Sequence, residues 1–176
     1  MTAAEHAAFA RTWRWILFSL AAFWVMVISI AFPPAPRLVW NASASMPVGL
    51  YWVRPGAPAA RGGTVVAWTP EPYRGLAATR HYLPRNVPLV KRVAGMPGDR
   101  VCAAGSAIFL NGRFIAARQR VDGAGRRMPW WDGCRTLRHD EYFLLVTNAP
   151  ASFDGRYFGV TSKSDIIGQA HLLWPR

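Results

Sequence analysis

The stretch Val87-Pro88-Leu89-Val90-Lys91-Arg92-Val93-Ala94-Gly95-Met96-Pro97-Gly98-Asp99 carries the reading of this chain. Its first half is aliphatic and β-branched, the composition of a half-buried strand. Alternate side chains of a strand share a face, so Val87, Leu89, Lys91 and Val93 fall together and Arg92 points the other way. If that face packs inward, Lys91 is stripped of water and its pKa falls, which lets an amine act as a base near neutral pH. The ordinary alternative is a lysine snorkelling at a strand edge.

Similar runs lie on both sides. Leu50–Arg54, Thr64–Trp68, Glu141–Thr147 and Gly168–Trp174 read as strands. Ile108–Ile115 reads as a hairpin around Asn111-Gly112, because a type I′ turn needs positive φ at both central residues. Gly123–Gly133 reads as a loop. Its segment Arg126-Arg127-Met128-Pro129-Trp130-Trp131 is expected to touch a membrane or an incoming substrate, since Trp favours the bilayer interface and Arg suits anionic headgroups. The alternative is that Trp130 and Trp131 fold back into the core. The expected fold is mostly β: a small β-sheet domain over residues 33–176, with no repeat and no second domain.

Ahead of it, Trp15–Phe32 holds eighteen residues without a charge. As a helix they span about 27 Å, close to a hydrocarbon core of roughly 30 Å. Pro33, Pro34 and Pro36 stop the helix. A cleaved secretory signal would have a shorter apolar stretch and a small-residue exit, whereas this one leaves through Ala31-Phe32-Pro33. A retained single transmembrane helix over 15–32 is expected, behind a short segment 1–14. Arg11 and Arg14 put the N-terminus in the cytoplasm and the remainder in a periplasm-like space.

Composition narrows the class. The chain is 52% hydrophobic and 13% aromatic, which excludes a disordered polar tail. A net charge of +12 invites nucleic acid as a partner, but the basic residues are scattered and no nucleic-acid motif is present, so none is expected. Of 21 basic side chains only Lys91 and Lys163 are lysines. Arg cannot give up its proton, so a lysine kept in such a chain is a candidate for work that needs a neutral amine. Cys102 and Cys134 form an even pair whose spacing fits no zinc pattern. In an oxidising compartment they are expected to form a disulfide, two buried thiols being the alternative. No cofactor or metal is expected.

Asn41-Ala42-Ser43-Ala44-Ser45-Met46-Pro47-Val48-Gly49-Leu50-Tyr51 sets Ser43 and Ser45 on one side of an extended stretch, just before a bend. A serine there can be rigid and exposed, as a nucleophile must be, although Ser-rich stretches are usually surface loops. The triplet Asn41-Ala42-Ser43 also matches a glycosylation acceptor, a weak pattern on its own.

Three segments resemble the boxes of the signal peptidase I family: Ser45-Met46-Pro47, Lys91-Arg92-Val93-Ala94-Gly95-Met96-Pro97-Gly98-Asp99, and Ser152-Phe153-Asp154-Gly155-Arg156-Tyr157-Phe158-Gly159. The first box, in its wider setting of Asn41 to Tyr51, is most similar to the TraF-type branch of conjugative-transfer peptidases. The resemblance implies a signal-peptidase-like β-sheet catalytic domain held at the bacterial inner membrane. It implies Ser45 as nucleophile, Lys91 as general base, and Ser43 as a helper of the oxyanion. Ser152 would orient the Lys91 amine, and Asp154 would hold Arg156 and the local backbone. The substrate would be a precursor protein, a preprotein or a conjugative pilin, cut by hydrolysis or cyclised by transpeptidation. The bilayer would be the other partner. Two departures stand in the third box: Gly155 replaces the usual Ser, and Asn148-Ala149-Pro150 replaces a Gly-Asp-Asn lead-in.

Thirteen positions separate Phe32 from Ser45, at most about 45 Å of extended chain, so the site would stand close to the bilayer. Rival readings fit less well. His6, His81, His139 and His171 lie in no zinc-protease motif, and no Gly-x-Ser-x-Gly is present for a Ser-His-Asp hydrolase. A self-cleaving repressor would lack the apolar helix and carry a DNA-binding domain. A non-enzymatic membrane scaffold would not need all three boxes, although an inactive homologue could retain them.

Overall fold

The computed structural model describes residues 3–32 and 34–176. The expected domain start at Pro33 and the first two residues of segment 1–14 lie outside the described residues. The chain divides into two units, Met1–Ala35 and Pro36–Arg176. The first holds helix α1, Ala3–Ala31, of which Arg11–Ala31 is long and apolar enough to cross a membrane. The helix starts well before the apolar run because Ala3, Ala4, Ala7, Ala8 and Ala10 are strong helix formers.

The second unit is mostly β. Its strands are β1 (Leu38–Asn41), β2 (Gly49–Pro55), β3 (Thr64–Ala67), β4 (Leu89–Gly95), β5 (Arg100–Ala104), β6 (Ala107–Leu110), β7 (Arg113–Ala117), β8 (Gly133–Thr136), β9 (Glu141–Leu144), β10 (Thr161–Ser162) and β11 (Ile166–Pro175). Short helices α2 (Tyr73–Thr79) and α3 (Gly155–Phe158) complete it. Seven strands form one sheet in the order β1-β2-β11-β3-β4-β9-β10, and four form another in the order β7-β6-β5-β8. All the pairings are antiparallel.

The strands expected from periodicity are present with shifted ends: β2 and β11 run longer than expected, β3 and β9 shorter. The strand of Lys91 starts at Leu89 rather than Val87, because Pro88 has no N–H to give a ladder. Asn111 and Gly112 both adopt positive φ and close the β6–β7 hairpin. β1, β5, β8, β10 and the two short helices are additional to the sequence expectation. β8 is exposed along its whole length, so no hydrophobic period marks it.

Two apolar clusters hold the seven-stranded sheet. One gathers Val39, Tyr51, Val53, Val66, Val90 and Ala170, and the other gathers Val65, Leu89, Val93, Leu144 and Phe158. Val101, Ile108 and Ala116 of the second sheet pack with Phe143 and Leu145, which joins the two sheets. Cys102 faces Cys134 across β5 and β8, and the two form a disulfide. Each buried aliphatic side chain contributes about 1.5–3 kcal/mol to the driving force.

Candidate active site

Lys91 lies mid-strand on β4, between β3 and β9, where Val65 is its register partner. Leu89 and Val93 flank it on the same face, and only 5% of Lys91 is exposed while Arg92 faces solvent. The alternation read from the sequence therefore buries the amine. Burial pulls its pKa from the ordinary 10.5 to about 8, against an opposing pull from the Asp154 carboxylate. The Arg156 guanidinium pushes in the same direction as burial.

The turn after β1 brings Ser45 to this amine. Lys91 Nζ donates to Ser45 Oγ at 2.6 Å and to Ser152 Oγ at 2.9 Å. Ser43 Oγ lies 2.9 Å from Ser45 Oγ and accepts from the Ser45 N–H at 3.4 Å. Three segments 46 and 61 residues apart in sequence thus meet at one nitrogen.

Ser152 is held from below by a buried ion pair. Asp154 and Arg156 are almost wholly inaccessible, and Arg156 Nε donates to Asp154 Oδ1 at 2.8 Å. Asp154 accepts from the Arg156 N–H, which caps α3, and from the Val146 N–H at 3.2 Å. Arg156 reaches the carbonyls of Val146 at 2.6 Å, Pro150 at 3.2 Å and Ala117 at 3.1 Å. With its donors used in this way the pair pins both ends of the segment carrying Ser152. A buried pair tolerates burial only when its remaining hydrogen bonds are met.

The Gly155 departure has a steric cause. A Cβ there would lie 2.7 Å from the Leu144 carbonyl oxygen and 2.8 Å from the Phe143 ring, so a serine would not fit. The Asn148-Ala149-Pro150 departure supplies the Pro150 carbonyl that Arg156 binds and the Ala149 carbonyl that takes the Ser152 N–H at 3.0 Å.

Ser45 and Lys91 open onto a cleft of about 880 Å³. Its walls include Trp40, Leu83, Val87, Met128 and Phe153, so they are largely apolar. Gln119, Val121 and Asp122 belong to the segment after β7 and form the far side. Asp122 accepts from Tyr82 Oη in a short contact and from Arg126 Nε at 2.7 Å, and Arg80 binds the Arg127 carbonyl at 2.7 Å. Those bonds tie the far wall to the segment after α2.

Trp130 and Trp131 fold inward rather than outward. Trp131 Nε1 donates to the Gly155 carbonyl at 3.1 Å and its ring meets Phe143 edge-on at 6.3 Å. Trp130 sits 3.5 Å from the buried Arg118 guanidinium. Both rings stay half-buried and each finds a polar partner in the fold, which favours the packing alternative for these two side chains, while Met128 of the same loop lines the cleft. The exposed tryptophans of this unit are Trp40, Trp52 and Trp174. Sequence reading also passed over Asn41 and Tyr51 as site residues. Their signal was the inward alternation of Val39 with Asn41 on β1 and of Tyr51 with Val53 on β2. No cluster of metal-ligating side chains occurs among the described residues.

The chain is similar to known proteins. The family described as "Signal peptidase, peptidase S26" matches residues 10–174. A plasmid transfer protein TraF of Escherichia coli is 32% identical over 137 residues, covering 72% of this chain and 77% of that protein. A probable signal peptidase I-2 of Synechocystis is 27% identical over 92 residues, covering 49% of this chain and 38% of that protein. A solved signal peptidase I of Enterococcus faecalis V583 is 21% identical, covering 64% of this chain and 96% of the other, with a TM-score of 0.37. The ordered boxes and the match along nearly the whole sequence lead to one conclusion: this chain belongs to the peptidase S26 family of signal peptidases.

Proposed function

We propose that this chain is a membrane-anchored Ser/Lys endopeptidase acting on precursor proteins at the periplasmic face of the inner membrane. One observation carries the reading: a buried lysine amine with a depressed pKa donates to a serine hydroxyl at 2.6 Å. Such an amine can lose its proton near neutral pH and then serve as a base.

Neutral Lys91 takes the Ser45 proton as Ser45 Oγ bonds to the scissile carbonyl carbon. The carbonyl oxygen gains the negative charge, within reach of the Ser45 N–H and the Ser43 hydroxyl. The C–N bond then breaks and the Lys91 ammonium returns the proton to the leaving amine. Water or a second amine attacks the Ser45 ester, giving hydrolysis or a new peptide bond. Ser152 fixes the amine rotamer, and the Asp154–Arg156 pair fixes Ser152.

A conjugative pilin is the substrate favoured by the likeness to plasmid transfer proteins, and a preprotein by the likeness to signal peptidases. The apolar cleft suits an extended, apolar segment near the cut. The membrane reading is supported by helix α1, with Arg11 and Arg14 on its N-terminal side. It is supported too by the outer face of β1, β2 and β11, where Leu38, Trp40, Trp52 and Trp174 are exposed. Cys102–Cys134 fits an oxidising compartment.

The test is intact-mass measurement after incubation of the full chain with candidate pilin and preprotein substrates. Cleavage gives two products whose masses sum to the precursor plus one water. Loss of a peptide from a product that also lacks one water indicates cyclisation. No product with any substrate, at any pH from 7 to 10, counts against the peptidase.

A further inference from the structure

We infer that Asn41 is a positioning residue that sets the geometry of the nucleophile turn through Ser43. The inference rests on the peptidase reading of Ser45 and adds a residue to it.

Asn41 ends β1 on its inward face and is only 6% exposed. Its register partner is Gly49, so the turn 42–48 closes directly over the Asn41 side chain. One amide nitrogen, Asn41 Nδ2, meets three carbonyls: Ser43 at 2.9 Å, Met46 at 3.1 Å and Pro47 at 3.0 Å. Its oxygen Oδ1 accepts from the Ser43 N–H at 3.2 Å. The residues bound lie on both sides of Ser45, so the turn is held around the nucleophile without contact to it.

A second hold comes from Tyr51 Oη, which donates to the Pro47 carbonyl at 2.9 Å. Gly49 lets the chain return, because at φ +152° a Cβ there would lie 2.1 Å from the Trp174 carbonyl oxygen. Asn41 is distinct from these in binding Ser43 through both its N–H and its C=O. Ser43 in turn touches Ser45 at Oγ and at N. The path runs from Asn41 to the backbone of Ser43, then from the Ser43 hydroxyl to the atoms that attack and stabilise the oxyanion.

Asn is required at the hub because it needs a donor pair and an acceptor on one short, rigid fork. Asp keeps the shape but faces three carbonyl oxygens with a carboxylate oxygen. A hub that only stabilised the fold would alter melting and leave catalysis per folded molecule intact. A positioning hub lowers kcat with KM little changed, since a misplacement of about 1 Å can cost on the order of 10²-fold.

The experiment compares wild type, Asn41→Asp, Ser43→Ala and the double variant, as full chains in detergent with a cleavable precursor peptide. Ser45 modification by a serine-reactive phosphonate, read by intact mass, runs in parallel. Asn41→Asp is expected to lower kcat about 10²-fold, with KM within about twofold, and to keep the acidic limb of the wild-type pH profile. In the Ser43→Ala background the same change is expected to cost less than about threefold, because residues acting along one path are not additive. If Asn41→Asp fails to fold, Asn41→Ala removes the donors without adding a charge and takes its place. Wild-type kcat and labelling rate in a folded Asn41 variant overturns the proposal, as do fully additive losses. Absence of Ser45 labelling in wild type instead removes the peptidase reading, and the proposal with it.

Discussion

The two sheets of the β unit are held together in different ways. Around Ser45 the seven-stranded sheet buries an amine, an ion pair and an amide, and joins them by hydrogen bonds: Lys91 to Ser45 and Ser152, Arg156 to Asp154, Asn41 to its turn. The four-stranded sheet has an exposed outer strand, β8, and a covalent bridge at Cys102–Cys134. Hydrogen-bonded burial makes the first region sensitive to isosteric changes, because a missing partner leaves a buried group unpaired. The second is small and has little core of its own. A covalent link restrains its unfolded chain whatever the surface does. The proposed chemistry belongs to the first, and the far wall of the cleft follows the second.

The largest break is Lys91→Arg. Arg keeps the charge and cannot become a base, so kcat/KM is expected to fall about 10⁴-fold, the upper end for a general base. Exposed Lys163 changed to Arg is the control and should stay at wild-type rate. Residual Lys91→Arg turnover within tenfold of wild type would overturn the dyad.

Arg156→Met strikes the same sheet below the site. It leaves Asp154 as a buried, unpaired carboxylate and is expected to cost about 3–5 kcal/mol in denaturant unfolding. A loss under about 1 kcal/mol would mean that the ion pair is not what anchors Ser152. In the other sheet, a Cys102→Ser, Cys134→Ser double variant opens a link between residues 32 apart. Its expected cost is about 2–4 kcal/mol, with the activity–pH curve unmoved. A shifted curve would show that the two sheets are not separable in this way.

The pH dependence follows from Lys91. Its folded pKa of about 8 lies below the ordinary 10.5, so between those values the unfolded chain binds more protons than the folded one. Stability from this group therefore rises with pH across that window and is lost as pH falls through it. The proposed mechanism needs the neutral amine, so kcat/KM should drop about tenfold per unit below the folded pKa. The checks are a pH–rate profile and unfolding free energies of wild type and Lys91→Met from pH 7 to 10.5. A flat profile through pH 8 would sink the depressed amine.

The smallest effect separates the tryptophans. In fragment 36–176, Trp40→Ala with Trp174→Ala should weaken binding to anionic vesicles, whereas Trp130→Phe should leave it unchanged. Equal effects would mean that exposure on the outer sheet face does not decide membrane contact.

The sequence by itself marks the strands that carry a hydrophobic period, and the lysine proposed as the base. Leu89, Lys91 and Val93 alternate against Arg92, and alternation is a local property that survives whatever the strand pairs with. The helix is equally local, since a charge-free run of that length needs no tertiary partner to be helical in an apolar setting. The box order also assigns Ser45 and Ser152 as candidates. Tertiary structure alone decides that residues 45, 91 and 152 meet within 2.9 Å, because that requires β4 to lie between β3 and β9 and two distant turns to close over it. It alone turns Asn41 from a residue of a turn motif into the hub of that turn. It also decides which tryptophans face water: the indole N–H of Trp131 finds the Gly155 carbonyl, a partner that no spacing along the chain reveals.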